Sequence, residues 1–205
     1  MQMKLEYFDS SKHNVRQVAE LIECSDEIMY RLLFGSKEKA IDIIEAMLVN
    51  EQNETLFSPP HTQCIMDEGR LVGVVVSYKA TKRKTLEKKT FSIGLRKLGF
   101  LETLKRMFII RKVRRLHGCE LSPESLYVLT LSLREEEKGK GYGSKTLKKL
   151  QEDCQTLYLH VNYRNNDART FYEKIGFEKC AEYYDNHKGE AIGSIVLKRD
   201  KKNVR

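Results

Sequence analysis

Apolar positions along the chain switch between two periods. Residues 4–8 alternate, and residues 63–66 and 71–78 are short apolar runs on either side of Asp67-Glu68-Gly69-Arg70; these predict a first strand and then a hairpin. Between them the spacing lengthens to threes and fours. Val15, Val18, Leu21 and Ile22 predict a helix capped by Asp9, Ser10 or Ser11. Ser25-Asp26 opens a shorter helix that runs to Phe34 and stops at Gly35, and Ser36 opens another containing Ile41, Ile44, Met47 and Leu48. Pro59-Pro60 closes this region. In the second half, residues 126–133 read as strand, 144–155 as helix, 157–161 as strand and 165–176 as helix. Residues 178–184 and 191–198 read as two last strands.

Residues 81–118 do not fit this alternation. Residues 82–89 are polar and basic, and 91–116 are helix-like, with Leu95, Leu98, Leu101, Leu104 and Phe108 at threes and fours. The net charge of +8 comes from this part of the chain: residues 79–115 carry fourteen Lys/Arg against Glu87 and Glu102, hence +12, and the remainder is −4. Three readings compete for the segment. It is an amphipathic helical insertion packed on the domain, a wall or lid of a binding site, or a contact for an anionic membrane surface or nucleic acid. No regular aromatic interleaving or nucleic-acid motif supports a nucleic-acid partner.

The 205 residues suit a single domain, 1–205, with 81–118 as its insertion. No stretch is apolar enough to span a bilayer and no secretory signal is visible, so a cytoplasmic location is expected. The five cysteines, 24, 64, 119, 154 and 180, are odd in number and widely spaced, which predicts reduced thiols, no disulfide framework and no metal site. The oligomeric state stays open, a homodimer being one option.

Two segments carry chemistry. The first is Lys138-Gly139-Lys140-Gly141-Tyr142-Gly143-Ser144, between a strand and a helix. Glycines admit a ligand close to the backbone, and a helix N-terminus offers amides and a partial positive charge to a phosphate. Counting excludes a P-loop and a dinucleotide fingerprint, because Ser144 or Thr146 stands where each needs glycine. The second is 165–177, with Asn165 as N-cap, Gly176 as C-cap glycine and Asn165, Ala168 and Tyr172 on one face. Ala168, Phe171 and Ile175 form the overlapping stripe expected to be buried. Each alone is also what an ordinary turn or amphipathic helix looks like.

Together, about twenty residues apart, they resemble the GCN5-related N-acetyltransferase family. Its Arg/Gln-x-x-Gly-x-Gly/Ala loop reads Lys138-x-x-Gly141-x-Gly143 here, and its second motif reads Asn165-x-x-Ala168 followed by Phe171 to Phe177. Lys138 replaces the usual Arg or Gln, and Glu135 stands where a proline is frequent. The resemblance implies an α/β (α+β) fold with a mixed, mostly antiparallel sheet flanked by helices, and the basic helical insertion between the third and fourth strands. It implies transfer of acetyl from acetyl-CoA to an amine acceptor by direct attack, without a metal. The pyrophosphate would meet Lys138 and the amides of Gly139 to Ser144, the pantetheine arm the main chain of Leu131 to Leu133, and the oxyanion the amide of Leu133. Tyr172 would protonate the leaving thiolate, and Asn165 would hold the pantetheine amide or order the helix start. The base stays open among Glu120, Glu124, His160, Tyr183, Asp185, His187 and a water chain. A non-catalytic acyl-CoA-binding domain and a nucleic-acid or membrane-surface adaptor are the alternatives.

Overall fold

The computed structural model describes residues 2–50, 52–116, 119–187 and 190–201. Seven strands form one sheet in the order β1-β2-β3-β4-β5-β7-β6. They are β1 (Met3–Tyr7), β2 (Thr62–Asp67), β3 (Arg70–Lys79), β4 (Leu126–Leu133), β5 (Thr156–Asn162), β6 (Glu178–His187) and β7 (Glu190–Asp200). Every pairing is antiparallel except β4 with β5. The β2–β3 hairpin turns on Glu68 and Gly69, both with positive φ, as a two-residue turn matched to strand twist requires.

Helices α1 (Val15–Cys24), α2 (Glu27–Phe34), α3 (Lys37–Leu48), α4 (Arg83–Leu98) and α5 (Phe100–Leu116) cover one face. Their core joins Ile22, Ile44, Met47, Leu86 and Ile109 to Val74, Val76 and Tyr127 of the sheet. Helices α6 (Tyr142–Glu152) and α7 (Asn166–Lys174) cover the other, where Leu147 and Leu150 pack on Val75, Leu159, Ile195 and Leu197. The fold is therefore the mixed, mostly antiparallel sheet flanked by helices that the resemblance implies.

Four expectations are corrected. Helix α1 is capped by Asn14, whose side chain accepts from Gln17 N; Asp9 instead accepts from Ser11 N at 2.9 Å and closes a preceding turn. Helix α6 starts two residues early, because Gly141 sits in the left-handed region and serves as its N-cap. The segment after β3 is two helices broken at Gly99 (φ 81, ψ 163), the first of which takes in the basic stretch from Arg83. On α5 the row of leucines is not the buried face. Ile109 and Leu116 are buried, whereas Leu101, Leu104 and Phe108 are 70%, 54% and 66% exposed.

Helix α4 packs through Leu86, Thr90 and Gly94. The Thr90 hydroxyl accepts from Leu56 N at 2.9 Å, and Gly94 lets the helix approach Phe34. Helix α5 is tied by Arg106, which donates to Leu32 O at 2.9 Å, and by Lys112, which meets Asp185 at 3.0 Å and also donates to Asn186 O. Part of the positive charge of this segment is thus spent inside the domain.

Candidate active site

Strands β4 and β5 pair over three residues only, Leu126 with Leu157, Tyr127 with Tyr158 and Val128 with Leu159. The cause of the separation lies on the other side of β4. Val76 pairs with Thr130 and Ser77 with Val128, which leaves Leu129 as an extra residue in β4. Such a bulge bends and twists its strand. It sits one residue past the last β4–β5 pair, so β4 turns away from its parallel neighbour at that point.

The edge exposed by this divergence has a definite polarity. Arg134 N donates to Val72 O at 2.9 Å, one step beyond the pair Leu133 with Gly73. Opposed residues alternate between hydrogen-bonded and non-bonded pairs. The peptide groups of Leu133 and Leu131 therefore turn away from β3, toward the opening.

A cavity of about 190 Å³ fills the gap. Leu129, Thr130 and Leu131 line it from β4, His160 and Asn162 from β5, Ala168 and Tyr172 from α7, and Gly193 and Ser194 from β7. Asp26, Met29, Tyr30, Leu33 and Phe34 close it from the α1–α2 region, and Glu87, Thr90 and Phe91 from α4. The basic insertion thus supplies a wall of the cavity as well as packing on the domain.

Tyr172 packs its ring at a steep angle against Phe171 and Phe177, with centroids 5.1 and 5.4 Å apart. Burial pushes its phenol up to about 12, so the hydroxyl keeps its proton at neutral pH. The stripe of Ala168, Phe171 and Ile175 is half-buried, not buried as expected. Ala168 and Tyr172 of the same helix line the cavity. Asn165 Oδ1 accepts from Ala168 N at 3.0 Å, so its carbonyl orders the helix start.

The glycine loop stands at the β4–α6 junction, outside the cavity lining. Gly139 and Gly141 have φ of 77° and 85°, and a Cβ on either would point into open space. Lys145 N donates to Gly141 O, the first rung of α6, so the amides of Tyr142, Gly143 and Ser144 precede any intrahelical acceptor. Gly143 has another reason to be glycine, since a Cβ there would lie 3.1 Å from Phe171 Cζ. Tyr142 points its side chain inward, donating to Asp67 Oδ2 at 2.6 Å. Lys138 pairs with Glu135 at 2.5 Å and Lys140 with the buried Glu137 at 3.1 Å, so two of the three glutamates before the loop partly meet its charge. Open amides, outward-facing glycines and two lysines on exposed stems fit a polyanionic cofactor such as the pyrophosphate of CoA.

The candidate bases separate in space. His160 lines the cavity and its Nδ1 lies 2.8 Å from Tyr127 Oη. Glu120 and Glu124 are exposed before β4, and Asp185 is engaged with Lys112. Tyr183 is half-buried on β6, outside the cavity lining. The side chain of His187 lies outside the described residues. Sequence reasoning passed over Asp26 and Glu87, which face the cavity. Asp26 had the signature of a helix cap, and it is one, accepting from Met29 N at 3.2 Å; no spacing in the chain marks its second surface. Among the described residues, Glu23, Cys24 and Glu27 alone have metal-ligand spacing, and Arg31 reaches both carboxylates, at 3.9 and 2.8 Å. No helix among them is long and apolar enough to cross a membrane.

Residues 108–185 match the family model of FR47-like proteins. No curated protein matches the chain in sequence. An N-acetyltransferase from Staphylococcus aureus is similar in structure, with a TM-score of 0.67 at 17% identity over 95% of this chain and 99% of that one. A crystal structure described as an acetyltransferase gives 0.60 at 20% identity, over 96% and 98% of the two chains. A Bacillus subtilis acetyltransferase in complex with CoA gives 0.51 at 12% identity, over 98% and 99%. The matched segment contains both the glycine loop and the α7 motif, and the sheet that carries them has the fold of these solved acetyltransferases.

Proposed function

We propose that the protein transfers the acetyl group of acetyl-CoA to a primary amine of a small molecule or peptide by direct attack. One observation carries the reading: the Leu129 bulge opens β4 from β5, with outward-facing amides on one side of the gap and the protonated hydroxyl of Tyr172 on the other. Acetyl-CoA supplies the acyl group as a thioester. The amides of the 139–144 loop, with Lys138 and Lys140, bind the pyrophosphate, and the main chain of Leu131 and Leu133 pairs with the pantetheine arm. The Leu133 amide donates to the carbonyl oxygen as it gains charge, where a preorganised donor counts most. Tyr172 gives its proton to the departing sulfur. A thiol pKa near about 8.5 makes thiolate a tolerable leaving group, so this donation assists the step without being indispensable. Asn165 holds α7, and with it Tyr172, in register.

Titration calorimetry with acetyl-CoA, repeated with Gly141→Glu, tests the reading. The substitution strains a left-handed residue and sets a carboxylate among the phosphates. Binding by the wild type that is lost in the variant, with thiol release when an amine is added, supports it. A wild type that fails to bind acetyl-CoA sinks it. A second reading, an adaptor at an anionic surface, has the exposed Phe100, Leu101, Leu104, Met107 and Phe108 on a basic helix in its favour. Salt-sensitive binding to anionic vesicles would support it, and equal retention with neutral vesicles would remove it.

A further inference from the structure

We infer that the acceptor is a monocationic amine on an apolar body, and that the Asp26 carboxylate receives its ammonium group. The inference rests on the acetyl-transfer reading of the same cavity and names its substrate class.

The argument follows the charges that face the cavity. Glu87 meets Arg83 Nε at 2.8 Å, and the Arg83 guanidinium lies over the Tyr127 ring, 4.6 Å from its centroid. The carboxylate on the α4 wall is therefore already neutralised. Asp26 is different. It accepts from the backbone of Met29 and the side chain of Asn162, both neutral donors. Among the described residues no cation stands within ion-pair distance of it. A half-buried carboxylate without a counter-charge is costly unless a cation comes to it. Burial accordingly pushes its pKa up. Asn162, Ala168 and Tyr172 line the same cavity, so a cation at Asp26 stands in the compartment that receives the acetyl group.

The rest of the wall decides what carries that cation. Met29, Leu33, Phe34, Leu56, Phe57 and Phe91 line the same cavity as Asp26. A second ammonium, as in a polyamine, would be left among these side chains without a partner. A carboxylate or phosphate on the substrate would face Asp26 across an apolar space. One charge on an apolar body satisfies both the carboxylate and the walls.

The test uses the full chain saturated with CoA. Cyclohexylmethylamine and its neutral isostere cyclohexylmethanol are titrated into wild type and Asp26→Asn. Asparagine keeps the helix cap and removes the charge. The expected result is tighter binding of the amine than the alcohol by wild type, loss of about tenfold in the amine affinity of the variant, and no change for the alcohol. A merely structural role would move both ligands together. Phe91→Gln, which leaves Asp26 intact, is expected to weaken amine and alcohol alike. In turnover, Asp26→Asn should raise KM for the amine more than it lowers kcat, and spermidine should be a poorer acceptor than the monoamine. Equal amine affinity in wild type and Asp26→Asn overturns the assignment, as does a preference for spermidine or no amine binding at all by a protein that still binds CoA. Failure to bind CoA would instead count against the cofactor site.

Discussion

Gly143 and Phe171 are in contact: a Cβ added to the glycine would lie 3.1 Å from the phenyl Cζ. The two motifs that mark the chain therefore touch. The glycine in the first turn of α6 is the surface on which the ring of α7 rests, and that ring leans on Tyr172. The glycine loop and Tyr172 are thus linked through the Phe171 ring.

Gly143→Ala should be nearly neutral for stability. Alanine favours a helix by up to about 1 kcal/mol over glycine, and the half-buried ring must yield only a few tenths of an ångström. Gly143→Val should cost about 1–3 kcal/mol by overpacking. It should also lower the rate, because the displaced ring carries Tyr172 with it. Chemical denaturation and kinetics on Gly143→Val, alone and with Phe171→Leu, check this: the second substitution makes room and should recover part of both losses. Independent, additive effects would show that the contact does not couple the motifs.

Tyr172→Phe should lower kcat by about 10²-fold, the low end for general acid catalysis, and leave the KM for acetyl-CoA nearly unchanged. Its pKa of about 12 also fixes a sign. The phenol is protonated below that value, so raising the pH toward 10 increases the free amine without removing the acid. The rate of the wild type should climb through this range with no descending limb from Tyr172. A Tyr172→Phe enzyme with full kcat would show that the proton reaches sulfur by another route.

Much of this site was legible because its signals are local. Asn165 caps α7, Gly176 follows it with φ 89°, and β4 spans residues 126–133 as its apolar run suggests. The rest depends on what lies opposite. Tyr127 and Val128 are buried in succession because helices cover both faces of the sheet, Tyr127 in one core and Val128 in the other, and the apolar run 126–133 gives no sign of the bulge at Leu129. Asp26 reads as a cap because its second role needs β5, α7 and α4 around it. The leucine row of α5 has helical spacing either way. Which face is buried was decided by Ile109 and by the tethers from Arg106 and Lys112, not by the period.

The insertion should matter to the cavity through Thr90. Its hydroxyl is the partner of the buried Leu56 amide, and Leu56, Thr90 and Phe91 line the same wall. Thr90→Val keeps the shape and removes the acceptor, leaving the N–H unsatisfied, which should cost about 1–3 kcal/mol. The loss should appear in denaturant midpoints and as faster amide exchange in α4. Acetyl-CoA affinity should hold, since the glycine loop lies outside the cavity lining, while the amine KM rises. An unchanged amine KM in a destabilised variant would make α4 a support and not a wall.

Tyr142 and Asp67 give a dependence on acid. Their 2.6 Å hydrogen bond ties the start of α6 to the end of β2. It holds the Asp67 carboxyl below its ordinary range, the Tyr142 hydroxyl being the largest cause, and pushes the phenol up to about 12. A depressed carboxyl pKa contributes stability that is fully present above the unfolded value, about 3.9, and is lost as the pH falls through the folded one. Tyr142→Phe leaves Asp67 buried without this donor, so the variant should melt below the wild type at pH 7. The gap between them should narrow as the pH drops beneath 4, because protonation removes the charge that the hydroxyl was serving. Thermal melts of both proteins from pH 7 to pH 3 measure it. A gap that stays constant across that range would mean that Tyr142 acts through packing alone, and that the loop is anchored to β2 by its ring and not by its hydroxyl.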